Sequence, residues 1–408
     1  MPDQSEPMQR HAATNSATSG FDPAAVSRLC GIIEAHVSEG RIPGATLLMA
    51  CGSETVERAF GRQGPQQATP MAIDTIFRIY SMTKPVVSVA IMMMAEQGRF
   101  LISEPVAKYL PEFTDVQVGV ESLGADGKPT LQLEPCRTPM TIQDLLRHTA
   151  GLTYGIFGTS TLVKQAYRES GVESSRVSNA EMVAKLAALP LALQPGTCWE
   201  YSRATDVLGA LLERVSGQTL DVHLQETIFG PLGMVDTGFW ITPDKQHRAA
   251  EAFDVDPVTG MKVRLIDVTK PPVFQSGGGG LVSTARDYLR FARMVRNGGM
   301  LEGARLLSRK TIDFMASDHL AGMPGARSGP MYLPGPGYGF GLGFAVRTEQ
   351  GGPFTAGSVG DFNWSGLAGT YFWIDPAEDL IAIWLMQAPE QRDYYRQLVR
   401  TLVTSCLR

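Results

Sequence analysis

The apolar positions near the start of the chain change their spacing within about forty residues. Over residues 24–39 they recur at helical spacing and stop at Gly40, which predicts an amphipathic helix. Residues 45–50 and 55–60 form two short runs on either side of a Cys-Gly-Ser turn, a pattern that is typical of a β-hairpin. The first elements that we expect are therefore one helix and two paired strands.

A further strand is predicted at 75–79, and it leads into an uncharged run over residues 81–95. After Lys84 no charged residue follows until Glu96, and apolar side chains occupy every face of the expected helix. A helix that is apolar all round belongs in a protein core, and at about 1.5 Å per residue this one is too short to cross a bilayer. Because Pro85 lacks an N–H group and would clash with the preceding turn, we expect a distorted first turn.

The middle of the chain, residues 97–275, predicts mostly helices interrupted by prolines. Residues 116–135 carry Gly, Asp and Lys and favour an exposed excursion. The first predicted helix has Thr141 as its N-cap and ends at Gly151. The helices predicted here lie at 140–152, 179–188 and 204–216.

Strand-like composition returns towards the C-terminus, after a glycine run at 277–280. That run precedes a predicted helix at 285–297, but it lacks the spacing and the lysine of a phosphate-binding loop. Close packing of backbone explains the glycines better. Aromatic and β-branched residues predict strands, and an amphipathic helix at 392–407 closes the chain. The predicted strands lie at 338–346, 369–374 and 380–386.

Strands at both ends with helices between them predict a mixed α/β (α+β) chain whose sheet is built from both termini. We assign residues 21–96 and 276–408 to this sheet domain and residues 97–275 to an inserted, mostly helical domain. Residues 1–20 are polar and rich in Ser and Thr, and we expect them to form a disordered tail. The active site is expected at the interface between the two domains.

Composition and charge narrow the classes of partner. The chain has 408 residues and a net charge of −5 without a basic tract, which argues against nucleic acid. It has no transmembrane run, and its polar start lacks the apolar core of a secretory signal. The five cysteines and six histidines show no metal-ligand spacing. We therefore expect a cytoplasmic protein with free thiols, no metal, no cofactor and no membrane partner.

The one chemical anomaly in the apolar helix is the pair Ser81 and Lys84. Both burial and the positive end of the helix dipole disfavour an ammonium ion in the first turn, so we expect a lowered pKa for Lys84 and partial action as a base. Ser81 lies three residues earlier on the same helix face and needs such a base to become a nucleophile. A chain of this length contains roughly one or two Ser-x-x-Lys pairs by chance, so corroboration has to come from elsewhere.

That corroboration comes from an ordered set of motifs. In their order and spacing they resemble those of the serine β-lactamase-like superfamily, of class C β-lactamases and, more closely, of family VIII carboxylesterases. The resemblance covers roughly residues 22–407 and implies a β-lactamase/transpeptidase-like fold with an antiparallel sheet. The motifs are Tyr80-Ser81-Met82-Thr83-Lys84, Leu145 to Leu152, Pro195 to Ser202, Gly277 to Thr284 and Trp364-Ser365-Gly366.

The resemblance implies a role for each matched residue. Ser81 would be the nucleophile, Lys84 would help to deprotonate it, and Tyr201 would be the second part of the base. The backbone N–H groups of Ser81 and Leu367 would form the oxyanion hole. Tyr201 could instead be an ordinary buried tyrosine. The residues expected to contact substrate are Trp364, Ser365, Gly366 and Tyr154, although Trp364 and Tyr154 could equally be core aromatics.

Two departures favour the esterases over the lactamases. The third motif of lactamases begins with a lysine that can hold the antibiotic's carboxylate, and here that position is Trp364. The lactamase Tyr-x-Asn motif is replaced by Tyr201-Ser202-Arg203, followed by Asp206, and Arg203 and Asp206 are close enough in sequence to pair with each other. His148 fits a structural role at a helix end better than a Ser-His pair, and Ser81 lacks a Gly-x-Ser-x-Gly setting.

The sequence therefore predicts a cytoplasmic carboxylesterase that cleaves short-chain acyl esters through an acyl-enzyme on Ser81. Its expected partner is a small ester substrate, and the oligomeric state stays open. β-Lactamase or amide hydrolase activity and acyl transfer are the enzymatic alternatives on the same site. A catalytically retired binding or filament protein is the alternative of another class, although the presence of Ser81, Lys84 and Tyr201 together argues against it.

Overall fold

A computed structural model describes residues 20–329 and 331–408, so the predicted tail at 1–20 lies almost entirely outside the described residues. The helices are α1 (Pro23–Ser38), α2 (Thr83–Glu96), α3 (Ile142–Leu146), α4 (Leu162–Glu169), α5 (Asn179–Ala187), α6 (Ala204–Ser216), α7 (Leu220–Leu224), α8 (Gly230–Leu232), α9 (Ala285–Arg296), α10 (Arg309–Met315) and α11 (Arg392–Thr404). The strands are β1 (Gly44–Cys51), β2 (Glu54–Gly61), β3 (Phe77–Arg78), β4 (Gln117–Leu123), β5 (Pro129–Pro135), β6 (Val282–Ser283), β7 (Met300–Leu301), β8 (Ala304–Arg305), β9 (Tyr338–Phe340), β10 (Ala345–Arg347), β11 (Phe362–Ser365), β12 (Tyr371–Asp375) and β13 (Leu380–Met386).

The largest sheet has seven antiparallel strands in the order β2-β1-β13-β12-β11-β10-β9. The first hairpin of the chain joins the C-terminal strands through β1 and β13, where Ala45 lies opposite Met386 and Cys51 opposite Leu380. The prediction of one antiparallel sheet built from both ends of the chain is confirmed. Short loops join β1 to β2, β9 to β10, β11 to β12 and β12 to β13, which explains their antiparallel pairing, since a parallel pair needs a long crossover.

Both faces of this sheet are covered, and the two central strands show it residue by residue. In β1, Leu47 and Met49 lie in the core beneath α1 and α11, whereas Leu48 lies in the core that contains α2 and α9. Successive side chains of a strand point to opposite faces. A strand that is buried on both faces therefore has a continuous apolar run, which is why 45–50 and 380–386 show no alternation of polar and apolar residues.

Helix α2 is buried along most of its length, as predicted for a helix without a polar face. A 3₁₀ turn at Tyr80–Met82 precedes it, so the α-helix proper starts at Thr83. This is the distorted first turn that Pro85 predicted, because proline has no N–H to donate to the carbonyl of Ser81. Tyr80 itself has a φ of 44°, a strained value for a non-glycine residue, directly before Ser81.

Several predicted boundaries differ from the observed ones. The expected strand at 338–346 is two short strands, β9 and β10, and the expected excursion at 116–135 contains the β4–β5 hairpin. Helix α3 has a capping box between Thr141 and Asp144 but ends at Leu146, well before Gly151. Strand β11 was not predicted, because four residues are too few to show a period.

The insert runs from the end of α2 to the glycine run, and it contains most of the shorter helices. Its division from the sheet at residues 97 and 276 stays a prediction. Across residues 20–329 and 331–408, the structure contains no helix with both the length and the apolar character needed to cross a membrane.

Candidate active site

Three distant parts of the chain meet at the N-terminal end of α2. Ser81 lies in the 3₁₀ turn that precedes the helix, and Lys84 lies in its first turn. Tyr201 comes from the segment just before α6, and Trp364 comes from β11 of the large sheet. The sheet and the helical insert therefore both contribute to one site.

Ser81, Lys84 and Tyr201 lie within hydrogen-bonding reach of one another. The Tyr201 hydroxyl donates to Ser81 Oγ at 2.6 Å, and Lys84 Nζ donates to the same oxygen at 3.2 Å. Lys84 Nζ also lies 4.6 Å from the centroid of the Tyr201 ring. A serine hydroxyl with a phenol and an amine on its oxygen has the arrangement of an activated nucleophile, in which a neighbouring group can accept its proton.

Lys84 is almost fully enclosed, with 1% of its surface exposed. Besides Ser81, its Nζ donates to the backbone carbonyl of Gly278 at 2.7 Å and to the hydroxyl of Tyr154 at 3.3 Å. An ammonium group has three N–H donors and no acceptor. The three oxygen partners therefore match the hydrogen-bonding capacity of the charged form.

The predicted lowering of the Lys84 pKa is wrong. Burial does lower the pKa of this amine, and it is the largest single influence. Tyr154, Tyr201 and Asp206 together raise it by more, so the net pKa of Lys84 lies above the usual value for lysine. Residues distant in sequence supply those oxygens, and the local pattern around residue 84 does not reveal them. The raised pKa favours the ammonium form of Lys84 at neutral pH.

The turn between β11 and β12 lies against the backbone that leads into Ser81. Thr370 Oγ1 donates to the carbonyl of Ile79 at 3.1 Å, and a Cβ added to Gly366 would come within 2.3 Å of that same carbonyl oxygen. The next residue, Leu367, lines the cavity beside Ser81, and its N–H donates to no other residue in the described ranges. The role of the Leu367 N–H in an oxyanion hole stays a prediction. Because this N–H makes no other hydrogen bond in the described ranges, it could donate to a substrate oxygen.

A cavity of about 510 Å³ opens at Ser81. Trp364 and Ser365, two of the residues expected to contact substrate, line it. Gly366 and Tyr154 are not among its lining residues, and Tyr154 lies instead beside Lys84. Ser81 and Tyr201 also line the cavity. Its apolar and aromatic lining residues include Phe157, Met331, Leu333, Pro334, Tyr338, Phe354, Trp364, Leu367 and Tyr371.

Tyr201 is held in place by an aromatic cluster. Its ring stacks on Trp199 at 5.9 Å with an interplanar angle of 9°, and it meets Trp364 at 5.7 Å. His148 lies 5.3 Å from the same ring and pairs its Nδ1 with Ser202 Oγ at 3.1 Å. Burial, together with the nearby charge of Lys84, lowers the pKa of His148, so its ring is neutral. These contacts suit the structural role that the sequence favoured for His148.

Sequence reasoning missed the carbonyl of Gly278 as a partner of Lys84. The residue belongs to the glycine run, and close packing of its backbone was expected there. Asp206 Oδ1 accepts the N–H of Gly278 at 2.9 Å, and Arg203 Nη1 pairs with the other carboxylate oxygen at 3.3 Å. The glycine run was the only visible signal, because a backbone carbonyl leaves no mark in a sequence.

The described residues show no set of side chains that could bind a metal ion. Within the two described ranges, no three or more His, Cys, Asp and Glu side chains are grouped so that they could hold a metal ion. The site as it stands consists of a hydroxyl, a phenol, an ammonium ion and backbone donors.

Comparison with known proteins gives the chain its family. The family model described as β-lactamase matches residues 30–403, which is nearly the whole of the described chain. The chain belongs to the β-lactamase family. This finding agrees with the antiparallel sheet and with the resemblance that the motifs indicated.

Several known proteins are similar to this chain over most of their length. Protein Rv1367c of Mycobacterium tuberculosis is 37% identical over 326 residues, which are 78% of this chain and 79% of that protein. Esterase EstB of Burkholderia gladioli is 30% identical over 395 residues, 92% of this chain and 93% of the esterase. The solved structure of EstCE1, described as a hydrolase with promiscuous acyltransferase activity, superposes with a TM-score of 0.77 at 27% identity and covers 93% of this chain and 98% of its own.

The contact between Gly366 and Ile79 yields a stability prediction. Gly366→Ala puts a methyl group 2.1 Å from Thr370 Oγ1 and 2.3 Å from a backbone oxygen, so the turn has to shift. We expect a loss of about 1–3 kcal/mol in the free energy of unfolding, as for other overpacked sites, measured by urea denaturation. Gly31→Ala is the matched control: nothing lies within 4 Å of its added Cβ in α1, and it should be neutral or stabilising. Equal unfolding midpoints for Gly366→Ala and the unaltered chain would contradict the close approach.

Proposed function

We propose that this β-lactamase-family protein is a carboxylesterase of the family VIII type, which cleaves short-chain acyl esters through an acyl-enzyme on Ser81. The observation that carries the proposal is the contact of Ser81 Oγ with the Tyr201 hydroxyl at 2.6 Å, beside the buried Lys84 and at the mouth of the cavity. The similarity to EstB, whose name describes an esterase, supports the choice of substrate class.

The first step is attack by Ser81 on the ester carbonyl. For this the observed hydrogen bond has to reverse, so that Tyr201 accepts the proton of the serine. The Lys84 ammonium ion, 4.6 Å from the tyrosine ring, favours the negative charge on Tyr201 that this requires. Lys84 thus acts as a fixed positive charge, and Tyr201 acts as the base.

Charge then develops on the carbonyl oxygen of the substrate. The N–H groups of Ser81 and Leu367 would receive it, and a single donor of this kind is worth about 10²–10³ in rate. The alcohol leaves with the proton from Tyr201, which yields the acyl-enzyme. Water attacks the acyl-enzyme by the reverse proton path, and the acid is released with Ser81 restored.

The lining of the cavity supports an apolar acyl or alcohol group. Trp364 packs its indole beside Tyr201, and the exposed side chains of Leu333 and Phe354 extend the apolar wall. Burying such groups stabilises a bound apolar chain by about 25 cal/mol per Å² of surface removed from water. A cavity of this size and lining suits a small ester.

β-Lactam hydrolysis is a second candidate, and a specific observation favours it. Arg392 and Arg396 of α11 line the same cavity and could meet a carboxylate, although Trp364 stands where lactamases carry a lysine. Arg396 is partly committed, since its Nη2 donates to the Gly366 carbonyl at 3.0 Å and its Nη1 to Asp393 at 3.2 Å. Acyl transfer is the third candidate, because the description of EstCE1 includes it and an alcohol can replace water at the acyl-enzyme.

We also propose that the protein acts in the cytoplasm. The five cysteines are free thiols in the structure, which suits a reducing compartment.

The nucleophile can be identified directly. We expect a fluorophosphonate probe to label Ser81, because the activated hydroxyl displaces fluoride from phosphorus, and peptide mass spectrometry locates the adduct. Ser81→Ala should lose both the label and the hydrolysis of p-nitrophenyl butyrate while its thermal unfolding stays near that of the unaltered chain. Turnover that persists in Ser81→Ala would place the nucleophile elsewhere, and a chain without any labelling would favour a catalytically retired binding protein.

Parallel assays separate the three candidate reactions. We expect the kcat/KM for p-nitrophenyl butyrate to be at least about 10²-fold above that for nitrocefin. Such a ratio needs only a modest preference for the ester transition state, since each tenfold ratio corresponds to about 1.4 kcal/mol. A preference for nitrocefin would contradict the esterase proposal and support β-lactam hydrolysis. If an added alcohol is converted to its butyrate ester faster than free butyrate is released, acyl transfer would be supported.

The role of Tyr201 as the base gives a quantitative expectation. Tyr201→Phe removes the proton acceptor but keeps the aromatic packing, so kcat for p-nitrophenyl butyrate should fall by about 10²–10⁴-fold. Tyr167→Phe is the matched control, because Tyr167 is also buried and its hydroxyl has no hydrogen-bond partner among the described residues. A near-normal kcat in Tyr201→Phe would remove this residue from the mechanism.

A further inference from the structure

A buried carboxylate lies one layer behind the three residues that meet at Ser81. Asp206 is in the first turn of α6, 2% exposed, and it is not among the residues that line the cavity. Its Oδ1 accepts the N–H of Gly278 at 2.9 Å and the hydroxyl of Ser276 at 2.5 Å, and its Oδ2 pairs with Arg203. The carboxylate therefore holds the start of the glycine run through the Ser276 hydroxyl and the Gly278 N–H.

We propose that Asp206 is a positioning residue for Lys84: it fixes the Gly278 carbonyl to which the ammonium group donates, and it supplies negative charge behind that ammonium group. The inference rests on the proposed function of Ser81 and deepens it. The sequence indicated only that this aspartate is close enough to pair with Arg203. The structure connects it to the catalytic lysine through one residue.

The geometry leaves little freedom at that connecting residue. A Cβ added to Gly278 would lie 3.1 Å from both carboxylate oxygens of Asp206 and 3.1 Å from the hydroxyl of Tyr154. The neighbouring Gly277 is closed in as well, since its added Cβ would lie 2.5 Å from the carbonyl oxygen of Thr205. The glycine run therefore packs tightly against α6, and the carbonyl oxygen of Gly278 lies 2.7 Å from Lys84 Nζ.

Charge gives a second and separate connection. Among the groups around Lys84, two are phenols and one is a neutral imidazole, so Asp206 supplies the formal negative charge. The Arg203 guanidinium, 5.4 Å from the centroid of the Tyr154 ring, adds positive charge to the same group of residues. Asp206→Asn keeps the shape and the Oδ1 acceptor while it removes that charge. The titratable and charged groups around Lys84 are Tyr154, Tyr201, Asp206, His148 and Arg203.

The sign of the expected pH effect distinguishes two roles of Lys84. Asp206 raises the pKa of Lys84, so its removal lowers that pKa. If the reaction needs the ammonium ion, activity is lost as pH rises through the Lys84 pKa, and the loss begins at lower pH in Asp206→Asn. If it needed the neutral amine, the variant would gain activity on the acidic side instead.

The experiment measures the rate at which a fluorophosphonate labels Ser81 between pH 6 and pH 10, together with kcat and KM for p-nitrophenyl butyrate. For Asp206→Asn we expect a fall of about tenfold or more in kcat and in labelling rate, with a KM within about twofold. Because the raised pKa of Lys84 keeps the ammonium ion charged up to pH 10 in the unaltered chain, we expect a loss of activity on the basic side of this range only in the variant. Asp287→Asn is the matched control. It also removes a buried carboxylate, one that accepts from Asp236 N and Thr237 Oγ1 in the region of α9, and it should keep the original profile.

The outcomes separate this inference from the proposed function. An unaltered chain that labels no serine would overturn the proposed function itself. An unaltered chain that labels Ser81, with Asp206→Asn labelling at the same rate and with the same pH profile, would overturn only the role of Asp206. A gain of activity on the acidic side would overturn the electrostatic part.

Two further variants keep the inference testable if Asp206→Asn does not fold. Gly278→Ala keeps the carboxylate but crowds it, and Ser276→Ala removes one hydrogen bond to it while the charge remains. We expect both to slow the labelling of Ser81, without the shift of the basic limb in Ser276→Ala. Unchanged labelling rates in both variants, with circular dichroism showing a folded chain, would overturn the positioning role.

Discussion

A buried ammonium ion needs a complete set of oxygen partners, and this requirement governs the arrangement around Ser81. Lys84 lies inside an apolar helix, where an unpaired charge costs several kcal/mol. Its three N–H donors meet a serine hydroxyl, a phenol and the backbone carbonyl of Gly278. These partners come from the turn before α2, from the segment that follows α3 and from the glycine run, so satisfying one charge brings three segments of the chain together.

The same contacts set the chemistry of the site. An ammonium ion that stays charged cannot accept a proton. The other side chain that forms a hydrogen bond with Ser81 Oγ is the phenol of Tyr201. The strained φ of Tyr80 turns the backbone just before Ser81. The β11–β12 turn of the sheet lies against the carbonyl of Ile79, two residues before Ser81.

The sequence alone was sufficient for the antiparallel sheet built from both ends of the chain and for the identity of Ser81, Lys84 and Tyr201. Lys84 stands out because it is the one charged residue in a run without a polar face, and the long strands β1 and β13 stand out through continuous apolar runs. The ordered motifs then indicated the family, and the match over residues 30–403 shows it. Patterns of this kind survive in a sequence because burial and secondary structure act on consecutive residues.

Only the tertiary structure decided the protonation of Lys84, the position of Tyr154 and the part played by Asp206. The local sequence suggests a lowered pKa for the lysine, since burial and a helix N-terminus both act within a few residues. The groups that reverse this, Tyr154, Tyr201 and Asp206, are 70 or more positions away in the chain. Electrostatic interactions depend on distance in space, and a sequence records only distance along the chain.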